Sequence, residues 1–207
     1  MKHYIEVTLM KSDDFSPYEL WSRVYPQLHL ALVEQKNVEN KVNIGLSFPQ
    51  YRFHQDKGIG FLGEKIRLFA LTESELKNLD IRKWLETSYD KVDLTDYVHI
   101  SSIKEVPESK ITGYSTYRRK QVKTNAQRLA RHRVKRGDIG FDEALARYSN
   151  VVTTTDLPYI EMKSLSHSTV EDVRRFKLFI EKQNAEQSET QVFSTYGLSS
   201  ESSVPEF

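Results

Sequence analysis

The first half of the chain repeats its apolar residues with two different spacings. Four segments place them at about every second position and predict strands: "HYIEVTL" (3–9), "KVNIGLSF" (41–48), "KIRLFAL" (65–71) and "YVHISSIKEV" (97–106). Two longer segments repeat them every three or four positions and predict helices: 13–35 and 72–86. The order βαββαβ over residues 1–106 predicts a ferredoxin-like domain, in which two helices cover one face of an antiparallel sheet.

Local signals mark the start of the first helix and two interruptions of the pattern. Ser16 and Glu19 form a capping box, and Pro17 suits the first helical position. Pro26 lies within the apolar pattern of that helix, where a proline predicts a kink or a break. The motif "GIGFLG" (58–63) precedes a strand pattern and not a helix, so it predicts a turn between strands and no dinucleotide site.

The pattern changes after Pro107 and predicts a second region, residues 107–207, that mixes helices with strands. Its predicted helices are 125–136 and 141–149, and its predicted strands lie within 157–166, 174–182 and 191–199. The final residues "SSESSVPEF" predict an exposed tail by their composition. The expected fold class is α+β, with an N-terminal ferredoxin-like domain and a C-terminal α+β region that carries an arginine-rich helix.

Composition narrows the class of protein. The formal net charge is +1, and the chain contains no cysteine, which excludes disulfides, thiolate metal sites and a cysteine nucleophile. No apolar run approaches the roughly 18 to 20 residues that a membrane span needs. The N-terminus "MKHYIEVTLM" lacks the features of a signal peptide. We therefore expect a cytoplasmic protein with no membrane partner.

Positive charge is concentrated in one segment. Residues 117–136 hold nine Lys or Arg and no Asp or Glu. On a helix, five basic side chains fall within an arc of about 140°: Arg128, Arg131, His132, Lys135 and Arg136. Such unrelieved repulsion favours binding of a polyanion over a merely solvated face. The side chains on the opposite face of this helix are too small for a helix that binds a membrane surface, so a nucleic acid is the expected partner.

Two residues just upstream of this helix suggest base recognition. Arg119 and Gln121 stand one residue apart in an extended segment, so both side chains are expected to point to the same side. Arginine reads guanine and glutamine reads adenine in a major groove. An RNA hairpin admits such contacts near its end, and long duplex DNA admits them too.

Chemistry without a metal or other cofactor is available if RNA is the substrate. No two histidines have the spacing of metal ligands. The 2′-OH of RNA can act as an internal nucleophile when a neutral histidine removes its proton. His29 lies beside the apolar face of the first helix, where the alternative interpretation is a structural histidine at the boundary of the core.

The chain resembles the Csy-type repeat-processing endoribonucleases of subtype I-F CRISPR systems. An ordered series of segments carries the resemblance: "HYIEV" (3–7), "LHLALV" (28–33), "IGLSFP" (44–49), "LGEKIRL" (62–68), "RKQVKTN" (119–125), "LPYIEMKSLS" (157–166), "RFKLFI" (175–180) and "FSTYGLS" (193–199). The resemblance implies metal-independent cleavage at the base of the repeat hairpin in precursor CRISPR RNA, which leaves a 2′,3′-cyclic phosphate. It also implies that the enzyme stays bound to the mature CRISPR RNA, with other subunits of a type I-F surveillance complex.

The same resemblance implies roles for individual residues. His29 would be the catalytic histidine, Tyr196 would orient it, and Ser164 would hold the 2′-OH. Five further groups would bind the RNA: Ser166 at the phosphate, Arg119 and Gln121 at the lowest base pairs, Phe176 stacked on the terminal pair, and the arginine-rich helix along the major groove. The segment "SHSTVEDVRRF" is longer than usual in the family, so Ser166 with Ser168 is an alternative to Ser164 with Ser166. A non-catalytic RNA-hairpin-binding subunit and a DNA-binding protein are the alternative functions.

Overall fold

The computed structural model of the chain describes residues 1–86, 92–122, 126–137, 139–149, 155–164 and 174–207. Over these residues the α-helices are α1 (Pro17–Glu34), α2 (Glu73–Leu79), α3 (Ile81–Glu86), α4 (Ala126–Val134) and α5 (Phe141–Ser149). The strands are β1 (His3–Leu9), β2 (Lys41–Val42), β3 (Gly45–Ser47), β4 (Arg52–His54), β5 (Ile59–Phe61), β6 (Lys65–Ala70), β7 (Val98–Ile100), β8 (Lys104–Glu105), β9 (Gly113–Lys120), β10 (Tyr159–Lys163), β11 (Arg175–Ala185), β12 (Phe193–Ser194) and β13 (Val204–Glu206). The structure is therefore mixed α/β.

Five strands of the N-terminal half form one antiparallel sheet, in the order β3-β6-β1-β7 with β8 also paired with β1. Val7 shows how the sheet is filled: it lies opposite Ile66 on one side and Ile100 on the other, and it is fully buried. Helix α2 packs on β1 and β6, while α1 contacts α3 and β10. The predicted strands over 3–9 and 65–71 are confirmed.

Helix α1 begins as predicted, because Ser16 and Glu19 form both hydrogen bonds of the capping box. Of the kink or break predicted at Pro26, the break does not occur, since a single helix runs from Pro17 to Glu34. Pro26 is itself buried, as are its neighbours Val24 and Leu28. Packing of this face against the core stabilises the helix across the hydrogen bond that a proline cannot donate.

Several predicted elements of this half are divided in the structure. The strand predicted over 41–48 is two strands in different sheets, β2 paired with β12 and β3 paired with β6. The helix predicted over 72–86 is split at Asp80, whose φ of 42° ends α2 before α3 starts. The "GIGFLG" segment is not only a turn, because β5 inside it pairs with β4 as a hairpin.

The C-terminal half forms a second antiparallel sheet in the order β10-β11-β9-β13. The prediction of an exposed tail is wrong, because β13 is an edge strand of this sheet and Ser202 and Ser203 are almost fully buried. The polar composition of this segment does not keep it exposed, because each of the two buried serine hydroxyls has a hydrogen-bond partner. The Ser203 hydroxyl donates to the Glu186 carbonyl at 2.8 Å, and the Ser202 hydroxyl accepts from the Val192 N–H at 2.9 Å.

One hydrophobic core spans both halves of the chain. Leu28 of α1, Leu68 of β6 and Leu178 of β11 all belong to it. The short pair of β2 and β12 also joins the halves, since Phe193 of β12 lies opposite Val42 of β2, which is 151 residues earlier in the chain. This strand pair places the segment after β12 next to α1. No helix among the described residues is long and apolar enough to cross a membrane.

Candidate active site

His29 lies on α1, about one and a half turns before the end of the helix, and is half-buried. Its Nδ1 lies 2.8 Å from the backbone carbonyl oxygen of Thr195. Because a carbonyl oxygen only accepts, Nδ1 donates in this contact, and in the neutral ring Nε2 keeps its lone pair. The hydrogen bond therefore fixes both the orientation of the imidazole and the nitrogen that can accept a proton.

Tyr196 covers one face of the same imidazole. The two ring centroids are 4.1 Å apart, and the planes differ by 2°. A ring stacked at this distance restricts rotation of His29 about its side-chain bonds. The structure thus brings together His29 and Tyr196, which are separated by more than 160 residues of chain.

A tight turn presents Thr195 and Tyr196 to the helix. The Gly197 N–H donates to the Ser194 carbonyl at 2.7 Å, which leaves Thr195 and Tyr196 as the two central residues of the turn. Gly197 has a φ of 68°, and an added Cβ would collide with Leu46. A glycine is therefore required directly after Tyr196.

A second side chain of α1 holds this turn. The buried Tyr25 hydroxyl donates to the Tyr196 carbonyl at 2.8 Å. Tyr25 and His29 are one helical turn apart, so they bind consecutive carbonyls of the turn from one face of α1. Sequence reasoning missed both Tyr25 and the Thr195 carbonyl. The spacing of four residues could have suggested Tyr25, whereas no side-chain pattern identifies a backbone carbonyl.

Burial sets the protonation of His29. Desolvation lowers its pKa below the ordinary value of 6.5, and the hydrogen bond to the Thr195 carbonyl acts in the opposite direction without reversing the shift. The imidazole is therefore neutral at pH 7, with Nε2 available as a base.

Arg119 and Phe176 extend this group of side chains. The guanidinium carbon of Arg119 is 5.1 Å from the centre of the Phe176 ring and 5.7 Å from that of Tyr196. These distances are typical of cation–π contacts. Four of the predicted site residues, His29, Tyr196, Arg119 and Phe176, are thus connected in space. Gln121 is exposed and follows the end of β9 by one residue.

Ser164 follows directly after β10, and its backbone N–H donates to the Arg174 carbonyl at 2.8 Å. It therefore continues the pairing of β10 with β11, in which Met162 lies opposite Phe176. Ser166 and the alternative Ser168 lie outside the described residues.

Helix α4 covers Ala126–Val134 of the basic helix predicted over 125–136, so Lys135 and Arg136 lie just after its end, and it packs against α5. Its small residue Ala130 is fully buried. The predicted basic face is open to solvent at four positions: Arg131, His132, Lys135 and Arg136. Arg128 belongs to the same helix, but its side chain lies outside the described part of the structure. An exposed cationic face of this kind can bind phosphate groups.

Comparisons with known proteins indicate the same family as the sequence motifs. The model of the family described as CRISPR-associated protein (Cas_Csy4) matches residues 4–207. The chain is 32% identical over 209 residues to the CRISPR-associated endonuclease Cas6/Csy4 of Escherichia coli (strain UTI89 / UPEC), with 100% of both chains covered. It is also 32% identical over 209 residues to the protein of the same name from Pseudomonas aeruginosa (strain UCBPP-PA14), again with 100% of both covered.

Proposed function

This chain belongs to the Cas_Csy4 family of CRISPR-associated proteins, and we propose that it cuts the repeat hairpin of precursor CRISPR RNA. It is an endonuclease, as its relatives are. The observation that carries the proposal is the hydrogen bond between His29 Nδ1 and the Thr195 carbonyl, which leaves Nε2 as a base. The proposed reaction needs no metal or other cofactor.

In the proposed reaction, the 2′-OH of the nucleotide before the cut is the nucleophile. His29 Nε2 removes the proton of this hydroxyl as the 2′-oxygen forms a bond to phosphorus. The bond from phosphorus to the 5′-oxygen of the next nucleotide breaks, and that oxygen takes up a proton. The products are a 2′,3′-cyclic phosphate and a free 5′-OH. The lowered pKa of His29 supports this role, because the neutral form predominates at pH 7.

Tyr196 is the proposed positioning residue for His29. Its ring is parallel to the imidazole within 2°, so tilting of His29 away from the 2′-OH would meet the tyrosine. Catalysis by a general base depends on hydrogen-bond reach to the proton that it removes, which makes this constraint useful.

Ser164 is the proposed group that holds the 2′-OH, and the packing of β10 along α1 supports it. The two elements touch at their starts, where the rings of Tyr18 and Tyr159 are 5.4 Å apart. Measured from this contact, His29 lies about 16 Å further along α1, and Ser164 lies about 16 Å further along the direction of β10. If the two run in the same direction, Ser164 reaches the level of His29. Ser166 remains a proposed phosphate contact.

The proposed RNA site extends from the catalytic group to the basic helix. Arg119 and Gln121 would read the lowest base pairs, and Phe176 would stack on the terminal pair. The contacts of Arg119 with Phe176 and Tyr196 support this placement, because Tyr196 in turn stacks on His29. Phosphates of the stem would be bound by Arg128, Arg131 and His132 of α4 and by Lys135 and Arg136, which follow it.

The division of the chain into residues 1–106 and 107–207 and the ferredoxin-like arrangement of the first part are also proposals. The sheet order β3-β6-β1-β7 supports the latter, since it places the second, third, first and fourth predicted strands side by side, all antiparallel. We further propose that the protein stays bound to the mature CRISPR RNA, together with other subunits of a type I-F surveillance complex.

The test is cleavage of a repeat hairpin in the presence of EDTA, followed by analysis of the new RNA ends. We expect a 2′,3′-cyclic phosphate and a 5′-OH from the wild type. We expect no cleavage from His29→Ala, which should bind the hairpin as tightly as the wild type because His29 lies outside the basic surfaces. Hairpin binding without any cleavage would support a non-catalytic subunit. Continued processing of a substrate with a 2′-deoxynucleotide at the cut site would refute the mechanism.

A further inference from the structure

A cleft of 790 Å³ lies next to the candidate active site, and Tyr196 and Arg119 belong to the walls of both. The other walls come from β2, from the end of β9 and from residues 190–202. Its volume lies within the range of about 300–1,000 Å³ that is usual for ligand sites. None of the proposed catalytic steps uses this space.

The cleft has a surplus of positive charge. Among the residues that the structure describes, its walls hold four basic side chains, those of Lys41, Arg118, Arg119 and Lys120, and a single carboxylate, that of Glu201. Arg118 and Lys120 share one acidic partner, Glu181, whose Oε2 lies 2.6 Å and 3.7 Å from their nitrogen atoms. Among the described residues, no carboxylate pairs with Lys41 or Arg119. An anionic ligand would therefore gain attraction without first having to break ion pairs at these two side chains.

Hydroxyl groups in the walls add hydrogen-bond donors. The Ser199 hydroxyl oxygen accepts from the N–H groups of Glu201 at 3.2 Å and Ser202 at 2.9 Å. A serine oxygen has two lone pairs, so the hydrogen of Ser199 is left to donate to a ligand. Ser200 is exposed in the same wall. Cations combined with hydroxyl donors suit the oxygens of successive phosphates.

We propose that this cleft binds single-stranded RNA that flanks the hairpin at the cut site, an inference that rests on the function proposed above. A strand that passes His29 meets Tyr196 and Arg119 and so enters the cleft without a break. The 44% exposed side chain of Val192 offers an apolar surface to the bases, while the lysines follow the backbone. This continuity favours RNA over an acidic protein segment. The strand is the one on the 5′ side or the one on the 3′ side of the hairpin, which have the same chemistry.

The test measures Kd for hairpins with a 2′-deoxynucleotide at the cut site, so that they bind without being cut. The hairpin is used bare (with only the single nucleotide that follows the cut), with a longer 5′ flank or with a longer 3′ flank, at several salt concentrations. We expect one flank to tighten binding to the wild type and Lys41→Gln to lose most of that gain. Loss of one phosphate contact should reduce the salt slope by about 0.7, or about 2.6-fold in Kd over a fourfold change of salt. Lys104→Gln is the matched control, because Lys104 is exposed and does not line the cleft.

Each outcome separates this inference from the proposed function. The flank that produces the gain identifies which strand occupies the cleft. The inference is wrong if the bare hairpin is bound and its all-ribose form is cut while neither flank adds affinity, a result that would favour a protein ligand. It is also wrong if Lys41→Gln and Lys104→Gln behave alike. If the bare hairpin is neither bound nor cut, the proposed function fails and this inference fails with it.

Discussion

Removal of one oxygen atom, in Tyr25→Phe, should slow cleavage without changing the affinity for RNA. Tyr25 is 1% exposed, and its hydroxyl donates to the Tyr196 carbonyl at 2.8 Å. Burial raises the pKa of this hydroxyl, so it keeps its proton and remains a donor. Phenylalanine fills nearly the same volume but leaves the carbonyl unsatisfied, which costs about 1–3 kcal/mol.

Both stability and rate should show this loss. A cost of about 1–3 kcal/mol in a chain of this length lowers Tm by roughly 2–12 °C. The affected carbonyl is adjacent to the Thr195 carbonyl that orients His29, so the imidazole should shift as well. Because a misplacement of about 1 Å can cost roughly 100-fold in rate, we expect cleavage to slow by about tenfold or more.

The assay is single-turnover cleavage with saturating enzyme, at a temperature at which all variants are folded. Tyr51→Phe is the matched control, since the Tyr51 hydroxyl donates to the Ile180 carbonyl at 3.1 Å, away from the turn that holds His29. Both variants should lose stability, and only Tyr25→Phe should lose rate. Equal rates for the two variants, whether reduced or unchanged, would refute the reasoning.

Three further predictions concern other parts of the molecule. The value of kcat/KM, which reports the protein free of RNA, should fall as the pH drops through the pKa of His29, and because burial lowers that pKa the midpoint should lie below 6.5. A midpoint above that value would contradict the role as a base. In filter-binding assays, Arg119→Ala should weaken the free energy of hairpin binding by about 1–3 kcal/mol and relax the choice of base at one hairpin position. Arg131→Ala should instead weaken binding to all hairpins and make the affinity less dependent on salt. Equal losses on every hairpin would mean that Arg119 contacts phosphate alone. In chemical denaturation, Arg67→Met should lower the free energy of unfolding by about 1–3 kcal/mol. The Arg67 guanidinium donates to the Glu6 carboxylate at 2.9 Å and to the backbone oxygen of Phe207 at 2.8 Å, and methionine can make neither hydrogen bond. A loss no larger than that of Lys77→Met, at an exposed ion pair, would contradict this.

Local sequence determined the elements whose stability is decided within a few residues. The capping box of Ser16 with Glu19 sets the start of α1, because both of its hydrogen bonds join groups three residues apart. The alternation over 3–9 correctly predicted β1, since one face of that strand is buried and the other is not. The exposed face of α4 followed in the same way from its helical spacing. The ordered motifs also indicated the family that the comparisons show.

Tertiary structure alone decided how distant segments meet. Nothing near Ser202 indicates that β13 completes a sheet and buries this polar tail, because its partners lie on β9 and in the preceding loop. Likewise, the sequence singled out His29 as a candidate, but the Thr195 carbonyl that selects its basic nitrogen is a backbone atom, present in every residue and therefore invisible to any residue pattern. The pairing of β2 with β12 brings that carbonyl to α1. Contacts between segments so far apart in the chain depend on the packing of the whole core, which no local spacing encodes.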